Sequence, residues 1–187
     1  MIQSKINYIK NIPNDEFYTP SIAVTMILPF IPSHVSRVWE CTAVKESQIV
    51  KVLRENGYSV VATHIEDGYD FLKFEPSDYD LIITNPPYSL KTRFLKRAFE
   101  LGKPFMFLLP ITTLEGLERN KIFRDNGIQL LIPDTRFNFM EDRKKGAWFQ
   151  TSWFTWKLGL KTDLNFIPIY NLEKGIQTYS YHFKLAA

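Results

Sequence analysis

Leu81-Ile82-Ile83-Thr84-Asn85-Pro86-Pro87-Tyr88 is the stretch on which the fold turns. Asp80 to Thr84 is an apolar, β-branched run that reads as a buried strand. The next residues stop it. Pro86 and Pro87 have fixed φ and no N–H to extend a ladder. Asn85, preceding a proline, is pushed toward an extended conformation. The strand end is left with two acceptors, the Asn85 side-chain oxygen and the Pro86 carbonyl, and few competing donors. A planar –NH2 has two hydrogens to give. Two acceptors take both, which draws its lone pair out of conjugation and makes the nitrogen a nucleophile. Tyr88 adds an aromatic face on which a nucleobase can stack. A Pro-Pro turn closing a strand is the plainer alternative; the strand, the Asn and the Tyr together favour the amine site.

The segments on either side alternate strand and helix. Residues 1–20 read as irregular, with Pro13 and Pro20 as breakers. The pattern predicts a helix from Ser21 to Phe30, a strand from Val35 to Glu40, a helix from Ser47 to Asn56 and a strand from Tyr58 to Ile65. Asp70-Phe71-Leu72 is a short element before Pro76. Beyond the motif come a helix from Leu90 to Leu101, a strand from Pro104 to Leu109, a helix from Leu114 to Asn126 and a strand from Ile128 to Ile132. Trp148 to Leu158 and Asn165 to Tyr170 read as strands with no long helix between them, and Thr178 to Leu185 as a final edge strand. Alternation of this kind predicts an α/β, Rossmann-like sheet, mostly parallel, with an antiparallel C-terminal edge. In such sheets ligands sit at the C-terminal strand ends near the switch in strand order. The ends of three strands, Glu40, His64 and Asn85, then line one crevice.

The 187 residues suit a single domain, 1–187, without a separate target-recognition domain. A 45% hydrophobic and 15% aromatic content supports a packed core rather than disorder. No apolar run reaches membrane-spanning length, and the first residues lack a signal-peptide core, so the expected location is intracellular. One cysteine, Cys41, permits neither an internal disulfide nor a cysteine zinc cluster. The three histidines, His34, His64 and His182, have no metal-ligand spacing, and no metal is expected. The net charge of +3 is compatible with nucleic-acid contact. Lys91, Arg93, Lys96 and Arg97 follow the motif. Arg136, Arg143, Lys144 and Lys145 form a second group, interleaved with Phe137, Phe139, Trp148 and Phe149. Either group reads as a solvated face or as a phosphate-backbone contact.

From about residue 15 to 158 the chain resembles the S-adenosylmethionine-dependent amino-methyltransferases, above all the adenine-N6 type often encoded by phages. Asn85-Pro86-Pro87-Tyr88 matches that family's catalytic motif. Phe17-Tyr18-Thr19-Pro20 looks like the segment over the methionine end of the cofactor. Val38-Trp39-Glu40 resembles the first strand with its acidic end, and Asp70-Phe71 the segment that holds the cofactor's adenine. Phe105 to Pro110 resembles the strand after the catalytic region, and Gly146 to Phe154 the late aromatic motif near the target base. The resemblance implies catalysis at Asn85, Pro86, Pro87 and Tyr88. It implies cofactor contacts from Tyr18, Thr19, Pro20, Glu40, Asp70 and Phe71, and substrate contacts from Lys91, Arg93, Arg136, Trp148 and Phe149.

Two places depart from that pattern. The family's first strand leads into a glycine-rich loop, because glycine tolerates positive φ and lets the backbone approach the cofactor. Here Cys41-Thr42-Ala43-Val44-Lys45-Glu46-Ser47 has no glycine, and Val44 and Glu46 stand where glycines are expected. After the second strand His64 stands where an acid would hold the ribose, with Glu66 and Asp67 just beyond. A lone histidine at a strand end is most often a structural hydrogen-bonder, and Cys41 reads as a buried thiol. Three functions follow: methyl transfer to an adenine amine in DNA or RNA; a methyltransferase-like protein that has lost its cofactor and binds nucleic acid or a protein, for instance as a phage counter-defence factor; or methyl transfer to another amine, such as a protein glutamine.

Overall fold

Apolar, β-branched and aromatic runs become strands here because sheet positions bury both faces of such residues. The computed structural model describes residues 19–137, 139 and 149–169. In chain order these form α1 (Ser21–Thr25), β1 (Arg37–Glu40), α2 (Gln48–Glu55), β2 (Ser59–Ala62), β3 (Leu81–Thr84), α3 (Lys91–Leu101), β4 (Phe105–Pro110), α4 (Leu117–Asn126), β5 (Gln129–Pro133), β6 (Thr151–Trp156) and β7 (Leu164–Ile167). The strands make one sheet in the order β2-β1-β3-β4-β6-β5-β7. Parallel pairing joins β1 to β2 and β3, β3 to β4, and β5 to β7. β6 runs antiparallel to both its neighbours, β4 and β5. The mixed, mostly parallel sheet is the one expected. Its antiparallel strand is inserted between β4 and β5, and β7 makes no hairpin with it because β5 lies between them.

Element ends shift for local reasons. The helix expected to reach Phe30 stops at Thr25, and Leu28–Phe30 continues as a tighter 3-10 turn with Pro29 inside it. α2 begins after Ser47, whose hydroxyl accepts from Val50 N at 3.4 Å. α4 starts at Leu117 because Gly116, at φ 97°, turns the chain after the 3-10 turn Ile111–Leu114. A Cβ at Gly116 would come within 2.9 Å of the Arg119 guanidinium. The Asp70 region is a turn, with Lys73 N and Phe74 N both donating to Asp70 O at 2.8 Å. The strand expected over Asn165 to Tyr170 is β7, while Tyr18, Trp148, the Arg143 to Lys145 group and Thr178 to Leu185 lie outside the described residues.

The sheet has a core on each face. On one, Val38, Leu81, Ile83, Met106, Leu108 and Trp153 pack under α1 and α2. On the other, Trp39, Ile82, Phe105, Phe107 and Phe154 pack under α3 with Phe71 and Tyr79. β3 and β4 are buried along their whole length. At the opposite end from the motif, Asp80 Oδ2 accepts from Ser36 N and Arg37 N at 2.9 Å, which pins the start of β1 to β3. Those backbone donors hold the Asp80 carboxyl below its ordinary value.

Candidate active site

Strand order reverses at β1: the chain leaves it for β2 on one side and returns to β3 on the other. The C-terminal ends of β1 and β3 therefore open on one crevice, the place where sheets of this kind bind ligands. β1 delivers Glu40 there, and β3 delivers Thr84 and then Asn85.

The motif is half sunk into the protein. Pro86 and Tyr88 are buried; Asn85 and Pro87 are partly exposed. Pro87 is extended at ψ 123°, and Tyr88–Leu90 forms a 3-10 turn that feeds α3. Asn85 is held at both ends. Its side-chain Nδ2 donates to Thr19 Oγ1 at 3.1 Å, and its carbonyl accepts from Thr42 Oγ1 at 3.3 Å. An amide that spends an N–H on Thr19 has its Oδ1 set on the other side as an acceptor, the role that the amine pocket requires. Tyr88 meets Phe149 edge-on at 5.8 Å, and Phe149 stacks with Phe139 at 6.3 Å. Lys91 Nζ donates to Tyr88 O at 2.9 Å, so this cation braces the motif, while Arg93 and Arg136 are exposed.

Glu40 is 1% exposed. Its Oε1 accepts from Thr84 Oγ1 at 2.6 Å, from Thr42 N at 2.9 Å and from Thr42 Oγ1 at 3.1 Å. Thr42 Oγ1 and Thr84 Oγ1 are themselves 2.6 Å apart. Burial pushes the Glu40 carboxyl up from 4.5 to about 7, against the pull of these hydrogen bonds. The neighbouring Cys41 thiol is also buried and raised, first by burial and then by Glu40. Neither threonine stands out in the sequence. The signal was available: Thr84 is the last residue of the strand beside β1, and Thr42 lies two residues past Glu40, so short hydroxyl side chains flank the one acid the strand ends bring in.

The glycine-free loop is built without strain. Among the described residues the only non-glycine at positive φ is Lys157, so Val44 and Glu46 adopt ordinary backbone conformations. Ala43 N donates to Thr63 O, and Ser47 N to Val44 O, both at 3.0 Å. Lys45 and Glu46 face solvent. At the end of β2, His64 Nδ1 accepts from Glu66 N at 3.3 Å and caps the turn Ile65–Asp67. Phe71 is 2% exposed, stacked on Phe94 at 4.7 Å and tilted against Trp39 at 5.2 Å. Asp70 Oδ1 accepts from Leu72 N at 3.0 Å, and its other oxygen pairs with Lys73 at 3.7 Å.

Set against S-adenosylmethionine, the two sides of the crevice differ. Thr19, Pro20 and Asn85 suit a site at the amine end. The loop and ribose positions do not fit the cofactor: the loop has no glycine, His64 stands where the ribose acid is expected and accepts a backbone N–H, and the Ala43 N–H is given to Thr63. Among the described residues no group of three His, Cys, Asp or Glu is placed to hold a metal, and no helix is long and apolar enough to cross a membrane.

No family model matches the sequence, and no curated protein matches it. Solved structures do. The chain is similar to a predicted O-methyltransferase from Agrobacterium tumefaciens, with a TM-score of 0.53 and 12% identity over 86% of this chain and 98% of that one. A protein-(glutamine-N5) methyltransferase from Alicyclobacillus acidocaldarius aligns with a TM-score of 0.42 and 18% identity over 77% of this chain and 96% of that one. The M protein of the type I restriction enzyme EcoKI aligns with a TM-score of 0.45 and 12% identity over 82% of this chain and 46% of that one. The first of these likenesses shows the fold, a Rossmann-like α/β sheet shared with that predicted O-methyltransferase.

Proposed function

We propose that this chain is a methyltransferase-like protein of the adenine-N6 type, which takes the exocyclic amine of a base in DNA or RNA into the Asn85–Tyr88 pocket. The observation that carries this reading is Asn85 itself. It stands at the C-terminal end of β3, beside the switch in strand order, with its amide oriented by Thr19 and its peptide tied to Thr42. Asn85 Oδ1 and the Pro86 carbonyl take the two amine hydrogens, and Tyr88 with Phe149 supplies the aromatic wall for the ring. A base in a duplex has to be flipped out to reach the pocket. Arg93 and Arg136 are exposed, where a phosphate backbone could meet them. Were S-adenosylmethionine to bind beside this pocket, it would supply the methyl group, and the part of Asn85 and Pro86 would be to hold the amine.

The loop from Cys41 to Ser47 favours a second reading, in which the pocket binds its amine without transferring a methyl group. Calorimetry with S-adenosylmethionine separates the two. Heat of binding, followed by methyl transfer to DNA, RNA or a glutamine-bearing protein, supports the enzyme and identifies its substrate. No heat at millimolar cofactor, together with retained binding of adenine-bearing oligonucleotides, supports the binding protein. Under either reading Asn85→Ala weakens amine recognition: transfer falls by two or more orders of magnitude in the enzyme, with cofactor affinity unchanged, about what the loss of one positioned acceptor costs. Full activity and full base affinity in Asn85→Ala would falsify the assigned pocket.

A further inference from the structure

Four oxygens stand in a row where β1 and β3 end: Glu40 Oε1, Thr84 Oγ1, Thr42 Oγ1 and the Asn85 carbonyl, at successive spacings of 2.6, 2.6 and 3.3 Å. Thr42 Oγ1 also lies 3.1 Å from Glu40 Oε1. Each hydroxyl carries one hydrogen to donate. When Glu40 is ionised the row holds two hydrogens, and a carboxylate is the stronger acceptor for both. Thr84 donates to it directly. Thr42 donates at 3.1 Å, or into Thr84 at 2.6 Å, and its hydrogen is turned away from Asn85. When Glu40 is protonated the row holds three hydrogens and can run in one direction: Glu40 to Thr84, Thr84 to Thr42, Thr42 to the Asn85 carbonyl.

We propose that Thr42 is a positioning residue that links the buried Glu40 to the amine motif, its hydroxyl grasping the Asn85 carbonyl when Glu40 carries a proton and releasing it when Glu40 is ionised. The Asn85 carbonyl belongs to the peptide that joins Asn85 to Pro86, so the Thr42 bond fixes the plane from which both amine acceptors project. Its significance for amine binding rests on the function proposed above; the hydrogen-bond coupling itself does not. The groups around Glu40 leave it free to act this way. Cys41, the residue that follows β1, is kept neutral by burial. His64, past the end of β2, is turned to the Glu66 N–H. The adjoining segments Thr84 to Tyr88 and Thr19 to Pro20 contain no charged residue.

The test is a carbon-13 NMR titration with labelled Glu40 carboxyl and Asn85 carbonyl, run between about pH 5 and 9. In the wild type Glu40 titrates near 7, and the Asn85 carbonyl signal steps with the same midpoint. In Thr42→Val the Asn85 step disappears while Glu40 still titrates; in Thr42→Ser both persist. An Asn85 carbonyl that stays flat while Glu40 titrates in the wild type overturns the proposal, and so does an undiminished step in Thr42→Val. The wild-type measurement decides the matter even where a variant does not fold. Failure of the wild type to bind any adenine-bearing oligonucleotide would sink the proposed function and leave this coupling to be judged by the titration alone.

Discussion

Glu40 is itself only 1% exposed, and burial is the largest influence on its carboxyl, so desolvation dominates its charge state. Its proton is held up to about pH 7 in the folded chain and given up above about 4.5 once unfolded. Between those values the folded state binds the more protons, so stability falls as pH rises. The neutral carboxyl's advantage is complete below 4.5 and gone above about 7, a span worth about 3 kcal/mol. Glu40→Gln keeps a neutral acceptor at every pH. Melting temperatures of the two proteins should therefore diverge with pH, the variant gaining on the wild type from pH 5 to pH 8, and parallel curves would argue against a buried, proton-holding Glu40. Thr42 and Thr84 illustrate why this part of the site is hard to read from sequence. A threonine has a dozen ordinary uses, and only the meeting of two strand ends assigns it to a carboxylate.

Phe71 shows the same limit at the level of elements. The Asp70-Phe71 segment looks like a cofactor-holding piece, and its backbone is a turn tied by two bonds to Asp70 O. Yet the Phe71 ring is locked among Trp39, Phe94 and Phe107 beneath β1, β4 and α3. Phe71→Ala should cost about 3–5 kcal/mol, the usual loss for emptying a large buried aromatic site. Urea unfolding measures this directly; a loss below about 1 kcal/mol would mean that the ring faces the crevice. The loop from Cys41 to Ser47 makes the complementary point. Its lack of glycine was visible in the sequence, and so was the problem that Val44 would have at positive φ. The structure resolves that conflict by avoiding positive φ altogether and hooking the loop to Thr63 and Glu40 instead.

At the scale of the whole molecule, the alternation of strand and helix around Leu81 to Tyr88 was enough to give the sheet, its mostly parallel character and the crevice at its C-terminal edge. Each of those follows from local pattern: apolar runs that need two covered faces, and proline or glycine punctuation between them. The place of β6 does not. Nothing in Thr151 to Trp156 announces that it will slip between β4 and β5, because strand order is a property of long-range packing rather than of the residues in the strand. Trp153 is one of the contacts that hold it there, with its indole N–H donated to Ala23 O at 2.8 Å, joining β6 to α1 across the first core. Trp153→Phe leaves that carbonyl short of a donor and a small void, and should destabilise the chain by about 1–3 kcal/mol. Tyrosine fluorescence and circular dichroism should report one coincident urea transition in the variant as in the wild type, since both cores meet at this strand. The same insertion has a consequence for how the chain is made. β4, Phe105-Met106-Phe107-Leu108-Leu109-Pro110, gains its second neighbour only when β6 emerges about 40 residues later. During synthesis, for a few seconds at ordinary elongation rates, this wholly buried strand is an open edge. In that interval the open edge is a template for pairing with the wrong chain.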